Sequence, residues 1–241
     1  MNRAAPLKTK STRPAGRPVA KPGRDAREFL ITAATDLFAE HGVAATTFAM
    51  IAKRAGLTPA MLHYYFKDRD ALLDAVVDER LLILMASVWD PVRPGTAAGE
   101  MLAGVVERLM AGIERNPWVP STWTREILND EGLLRARVVR RLPFEKVRLV
   151  GEAMVRGQKS RSINAEIDPV LIVFSTVGLV MLHMATRKFF AETFRRHIPD
   201  KVTIRRHITG LLLHGVERQK RSAVQGKVRA KRREMKDGGA Q

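Results

Sequence analysis

The chain has 241 residues, 45% apolar, 28% charged and 6% aromatic, enough to bury a core in one or two domains. It has no cysteine, which excludes a disulfide framework, a thiol nucleophile, an iron–sulfur cluster and a cysteine-ligated zinc. Lys and Arg number 42 against 25 Asp and Glu, a formal charge of +17. That excess sits at the ends: residues 1–24 hold seven basic residues and no acid, and residues 218–241 hold nine basic and two acidic ones. Segments 1–23 and 218–241 have few large apolar residues, and they read as disordered basic arms around a nearly neutral body. Such charge attracts polyanions and says nothing about fold.

The apolar spacing predicts an all-α protein. A first helix over 25–41 carries Phe29, Leu30, Ala33, Ala34, Leu37 and Phe38 at three- and four-residue steps, and Gly42 stops it. Thr46 or Thr47 caps a second short helix with Phe48, Ile51, Ala52 and Ala55 inward, ending at Gly56. Thr58-Pro59 starts a third over 59–65, with a hydroxyl cap and a proline in the first turn, where its missing N–H costs nothing. Asp68 caps a fourth running to Trp89, and Asp90-Pro91-Val92-Arg93-Pro94-Gly95 breaks it. Helices are then expected over 96–115, about 121–129, about 133–141 and from Pro143 to about 159. Asp168-Pro169 opens a long apolar helix to about Phe190, and Pro199-Asp200 opens the last, with Ile204, Ile208, Leu211, Leu212 and Val216 on one stripe.

Two lengths of apolar chain bear on location. No apolar run of signal length precedes Phe29, so a cytoplasmic protein is expected. Residues 170–184 are apolar but shorter than the roughly 20 residues of a membrane span. They read as a buried helix, with no membrane partner.

Residues 46–66, TTFAMIAKRAGLTPAMLHYYF, place two short helices around the turn Ala55-Gly56-Leu57. This is the layout of a helix-turn-helix, whose second helix enters the DNA major groove. Phe48, Ile51, Ala52, Leu57 and Leu62 are the inward residues of the pair. The same pattern alone also fits an ordinary helical hairpin in a bundle.

A longer pattern is more specific. The Ala-Ala-x-x-Leu-Phe-Ala-Glu-x-Gly end of the first helix is followed by Thr-x-x-x-Ile-Ala and Ala-Gly-Leu-Thr. Leu-x-x-Tyr-Phe and Lys-x-x-x-Ala-Leu-Leu then lead into the fourth helix. Over about 45–60 residues the chain resembles the N-terminal domain of the TetR/AcrR family of bacterial transcriptional repressors. The resemblance implies an all-helical homodimer with a three-helix DNA-binding domain over 24–70, the fourth helix linking onward to about 89. A larger ligand-binding and dimerisation domain is implied over 71–217. It also implies a double-stranded operator as partner and a small-molecule ligand that releases it. The DNA-facing residues implied are Thr46, Thr47, Thr58, Pro59, Ala60, Met61, His63, Tyr64, Tyr65, Lys67 and Arg69. Tyr64, Arg69 and Lys67 take phosphate-contacting places; His63 and Met61 take places near base edges. The chain departs from the family in having Thr58-Pro59-Ala60-Met61 where many relatives have Ser-Lys-Gly-Thr, and Ala49 where an arginine is frequent. Residues 24–66 carry four basic and four acidic residues, so the arms are expected to add affinity. Gly16-Arg17-Pro18 is similar to the core of a minor-groove hook.

Beyond residue 85 the reading rests on composition. The last two long helices are the expected homodimer interface, a four-helix arrangement. Trp89, Trp118, Trp123, Phe144, Met154, Met181 and His183 are the expected ligand lining, or else core packing. Arg125 and Glu126 read as a polar anchor for the ligand or as solvent-facing. Six scattered histidines with no completing carboxylate, no phosphate-binding glycine loop and no nucleophile elbow give no reason to expect an enzyme, a metal or a cofactor. Transcriptional activation, and nonspecific architectural DNA binding through the basic arms, are the alternatives to repression.

Overall fold

The computed structural model describes residues 24–194 and 199–216. Both basic arms and the Gly16-Arg17-Pro18 segment lie outside the described residues, apart from Arg24. About 75% of the described residues are helical and no strand occurs among them. Three N-terminal helices, α1 (Arg24–His41), α2 (Phe48–Ala55) and α3 (Pro59–Tyr65), are followed by a larger helical part.

The first three boundaries follow from local chemistry. Gly42 ends α1 at φ +83°, and Gly56 ends α2 at φ +71°, where an L side chain would be strained. The Thr47 hydroxyl caps α2 by accepting from Met50 N at 3.2 Å. Thr58 does not cap α3 with its hydroxyl as expected. The Met61 amide donates instead to the Thr58 carbonyl at 3.1 Å, which leaves the hydroxyl with no cap to make.

Asp68 accepts from Ala71 N at 2.8 Å and opens α4 (Arg69–Val76). A π-helical turn (Val77–Leu81) carries that helix into α5 (Leu82–Trp89), so 69–89 is continuous, as the sequence predicts. Then come α6 (Ala98–Arg115), α7 (Val119–Thr122), a second π turn (Trp123–Ile127) and α8 (Arg135–Val139). The last three helices are α9 (Phe144–Lys159), α10 (Leu171–Phe194) and α11 (Lys201–Val216) among the described residues. Asp168 caps α10 through Val170 N and Leu171 N, and Asp200 caps α11 through Thr203 N.

Two apolar clusters organise the packing. One gathers Leu30, Ile31, Phe38, Ile51, Leu62, Leu72 and Leu73 from α1–α4, together with Leu134 and Val138 beside and within α8. The other gathers α5, α6, α9, α10 and α11 around Leu102, Val106, Met154, Val180 and Ile208. Phe29 and Leu211 depart from their predicted stripes and face solvent. On α1 the buried face is Ala26, Leu30, Ala33, Ala34 and Leu37, with Ile31 beside it, which turns Phe29 outward.

The long α10 also departs from expectation. Its most apolar 18-residue window has a mean hydropathy of 1.3, so by length and composition it could cross a membrane, yet only 28% of that window is buried. Ile172, Val173, Thr176, Val180 and Met181 face the core. Leu171, Phe174, Leu182 and Phe189 are exposed at helical spacing on another face, with Gly178 between them in the same register. The described residues of a single chain supply neighbours for one face of this helix only.

Candidate nucleic-acid interface

The α2–α3 pair is held from beneath. Ile51, Ala52 and Leu62 are fully buried; Leu62 is the one fully buried residue of α3, and Tyr65 packs partly buried against the same cluster. Burying a leucine side chain contributes about 2 kcal/mol, so a seven-residue helix is seated largely by this anchor. Phe48 and His63 meet across the two helices with ring centroids 5.3 Å apart. Phe48 is therefore half-buried and turned toward α3.

The remaining surface of α3 points outward. Pro59, Ala60, His63 and Tyr64 are exposed, and Tyr64 is 80% accessible. Tyr65 stands edge-on to Tyr64 with centroids 5.0 Å apart. Thr47 and Thr58 are exposed at the two helix starts, Met61 is half-buried, and Lys67 is exposed just beyond α3. Of these predicted residues Thr47, Thr58, Pro59, Ala60, His63, Tyr64 and Lys67 are thus exposed on the three-helix unit, while Met61 and Tyr65 are partly buried.

Two predicted residues are turned inward. Thr46 is 1% exposed, and its hydroxyl donates to the Gly42 carbonyl at 2.8 Å, closing the α1–α2 turn. Arg69 is half-buried and donates from Nη2 to the Val43 carbonyl. Both side chains serve the turn that carries α2 rather than a ligand surface.

The electrostatics of the unit are mostly internal. Arg54 makes a two-pronged contact with Glu40, Nη1–Oε1 at 3.0 Å and Nη2–Oε2 at 2.7 Å. That hydrogen bonding holds the Glu40 carboxyl below its ordinary range. Arg27 likewise grips Glu79 at 2.6 and 2.5 Å, lowering the Glu79 carboxyl chiefly through those bonds, and lies over the Phe66 ring at 5.3 Å.

Residues 30–76 match the model for bacterial regulatory proteins of the tetR family, so the match covers α2, α3, α4 and most of α1. Over that segment the chain is similar to the TetR/AcrR family of regulators. Among curated relatives, the chain is 27% identical over 150 residues to the HTH-type transcriptional regulator AcrR of Shigella flexneri. That match spans 59% of each chain, so the likeness stops short of two thirds of the relative's length. It is 21% identical over 154 residues to the nucleoid occlusion factor SlmA of Haemophilus influenzae, covering 62% of this chain and 71% of that one. Among solved structures it is similar in fold to the ketosteroid transcriptional regulator KstR2 of Mycobacterium tuberculosis. The TM-score is 0.62 at 18% identity, covering 84% of this chain and 100% of that one. FadR of Bacillus subtilis, solved in complex with stearoyl-CoA, gives a TM-score of 0.57 at 18% identity over 79% and 99% of the two chains.

The residues predicted to line a ligand site are divided. Trp89, Met154 and Met181 are buried in the second apolar cluster, with Trp118 and Trp123 packed against it. Phe144 is exposed on α9 and lines a groove of about 610 Å³ with Val147, Gly151, Pro169 and Val170. His183 bonds through Nδ1 with the Leu179 carbonyl at 2.7 Å and lies 5.6 Å, centroid to centroid, from His207 on α11. A second groove of about 610 Å³ runs between α6 and α11, past Glu107, Arg205 and His214. Neither groove reaches the tryptophans.

Sequence reasoning missed the residues that tie the body to the three-helix unit. Arg125 is exposed, but Glu126 is 5% exposed and neither faces solvent nor stands alone in the core. It accepts from Val43 N at 2.7 Å. Arg137 of α8 pairs with Asp70 at 2.5 Å and Asp74 at 3.1 Å, and Arg141 pairs with Asp78 at 2.8 Å. These partners lie 63 to 83 residues apart, so no local pattern announces them.

Proposed function

We propose that the protein is a sequence-specific transcriptional regulator, working as a homodimeric repressor released from a palindromic operator by a small molecule. The observation that carries this reading is the outward face of α3, seated on Leu62 and exposing Tyr64 at 80% accessibility within the segment that matches the tetR-family model. In this reading Thr47, Thr58, Pro59, Ala60, Met61, His63, Tyr64, Tyr65 and Lys67 meet DNA. Pro59, Ala60 and Met61 favour apolar contact with thymine methyl groups, and Tyr64 and Lys67 take phosphates. The two basic arms add affinity that depends on salt.

Residues 24–70 serve as the DNA-binding domain and 71–217 as the ligand-binding and dimerisation domain. The exposed stripe Leu171, Phe174, Leu182 and Phe189 on α10 supports a dimer through α10 and α11. A two-fold dimer presents two α3 helices to half-sites about 34–36 Å apart. The ligand seats beside Trp118 and Trp123. The stearoyl-CoA bound by the Bacillus subtilis FadR neighbour supports a ligand with a long apolar part.

The test is a binding titration on DNA upstream of the protein's own gene, against scrambled DNA of equal length, at two salt concentrations. A preference of about a thousand-fold that survives moderate salt is expected. Equal binding to both DNAs, collapsing with salt, would identify a tail-driven architectural binder instead.

A further inference from the structure

The carboxylate of Glu126 lies in the π turn (Trp123–Ile127), three residues beyond Trp123. Each oxygen accepts one main-chain N–H: Oε1 from Val43 at 2.7 Å, Oε2 from Leu133 at 3.2 Å. No ion pair reaches it among the described residues. A buried carboxylate without a counter-cation is costly unless its oxygens are hydrogen-bonded, so its position is set by those two amides.

Val43 is the centre of the α1–α2 turn, and its peptide groups are gripped from both sides. Its N–H goes to Glu126 of the body, and its carbonyl takes Thr46 N at 3.1 Å and the Arg69 guanidinium of α4. Glycines let both partner segments approach. A Cβ on Gly42 would lie 3.3 Å from Glu126 Oε1, and one on Gly132 would lie 2.1 Å from the Glu126 carbonyl oxygen. The segment after Leu133 is α8, whose Arg137 and the following Arg141 pair with Asp70, Asp74 and Asp78 on and after α4. One stretch of the body therefore grips the three-helix unit at its α1–α2 turn and the α4 helix that follows the unit.

We infer that Glu126 is the positioning residue that sets the angle of the DNA-binding unit on the body and carries a change at Trp123 to the α1–α2 turn. The ligand part of this inference rests on the proposed ligand seat beside Trp118 and Trp123. The π turn supplies the moving part. Leu128 N donates five residues back to the Trp123 carbonyl at 2.9 Å. Rewinding such a turn to α-helix rotates the residues C-terminal to it by about 100°, the angle per residue of an α-helix. Glu126 lies inside the turn, so rewinding moves it off Val43, and the α1–α2 turn loses that hydrogen bond to the body.

The chain has no cysteine, so cysteines placed at Ala49 on α2 and Arg156 on α9, both exposed, can carry a pair of spin labels. Labelled chains diluted with unlabelled ones report the distance within one chain by pulsed EPR, with neither DNA nor ligand present. With Glu126 intact a narrow distance distribution is expected. Glu126→Gln puts an amide NH2 against a main-chain N–H, and the distribution is expected to broaden at least twofold while the helical content is kept. Glu126→Asp keeps the charge but reaches one amide only, and an intermediate width is expected. If Glu126→Gln does not fold, Glu126→Asp decides on the same criterion. An unchanged width in the folded variant overturns the inference, even if the variant melts earlier, because a purely structural role lowers stability without loosening the angle. The operator titration stands apart from this measurement, so the two readings fail separately.

Discussion

Replacing Phe174 with glutamate tests the proposed dimer surface directly. Phe174 is 65% exposed in the single chain, in the N-terminal part of the exposed α10 stripe. A phenylalanine buries about 200 Å² when fully covered, so about 130 Å² is available to a partner. At about 25 cal/mol per Å² that area contributes about 3 kcal/mol per side chain. A dimer Kd raised about a hundredfold follows from one such loss, since each 1.4 kcal/mol is tenfold. The two-fold axis doubles the number of sites, and an uncompensated buried carboxylate adds to the penalty, so a hundredfold is the lower expectation. Sedimentation equilibrium across a concentration series measures it. Exposed in the monomer, the new charge leaves the fold of each chain intact, and circular dichroism checks that. A Kd within threefold of the parent protein would refute the placement of the interface on α10.

Leu62→Ala removes the one fully buried side chain of α3 and is expected to cost about 3 kcal/mol of stability in the three-helix unit, read by chemical denaturation. A loss below about 1 kcal/mol would mean that α3 is held by other contacts. Tyr64→Phe is expected to weaken binding to operator and scrambled DNA by the same factor in parallel titrations, since a phosphate contact carries no sequence information. A changed base preference would instead assign Tyr64 to base reading. Glu79→Gln is expected to cost about 0.5 kcal/mol at pH 7, because the Arg27–Glu79 pair is over a third exposed and screened by solvent. The folded-state pKa of Glu79 lies below its ordinary value through its hydrogen bonds to Arg27. Its contribution is therefore fully present above the ordinary carboxylate range and is lost as pH falls through the lowered value. Urea midpoints of parent and variant should accordingly converge in acid, and a gap that persists or widens there contradicts the assignment.

The three-helix unit is legible because its signals are local. Thr47, Asp68, Asp168 and Asp200 cap amides two or three residues away, and Gly42 and Gly56 supply left-handed turns within the same segment. The spacing of Ile51, Ala52 and Leu62 follows from helical geometry alone, so the α2–turn–α3 pair could be written down before any coordinates. Thr58 shows where even a local signal is incomplete, since its own carbonyl, not its hydroxyl, accepts from the Met61 amide.

The rest depended on which segments meet. An apolar helix such as α10 carries no mark of which face its own chain will cover, and Phe174 and Leu182 face outward because α6 and α7 approach from the other side. Thr46 and Arg69 match the pattern of DNA-facing residues, yet the fold turns both onto the α1–α2 turn. Glu126 is one more acid in a basic chain until the α1–α2 turn, 83 residues earlier, brings the Val43 amide to it. Short-range capping and periodicity are properties of neighbouring residues and so are written in the sequence. The partner of a buried charge, and the uncovered side of a helix, are properties of the assembled chain, where long-range packing decides which polar group is left to be satisfied.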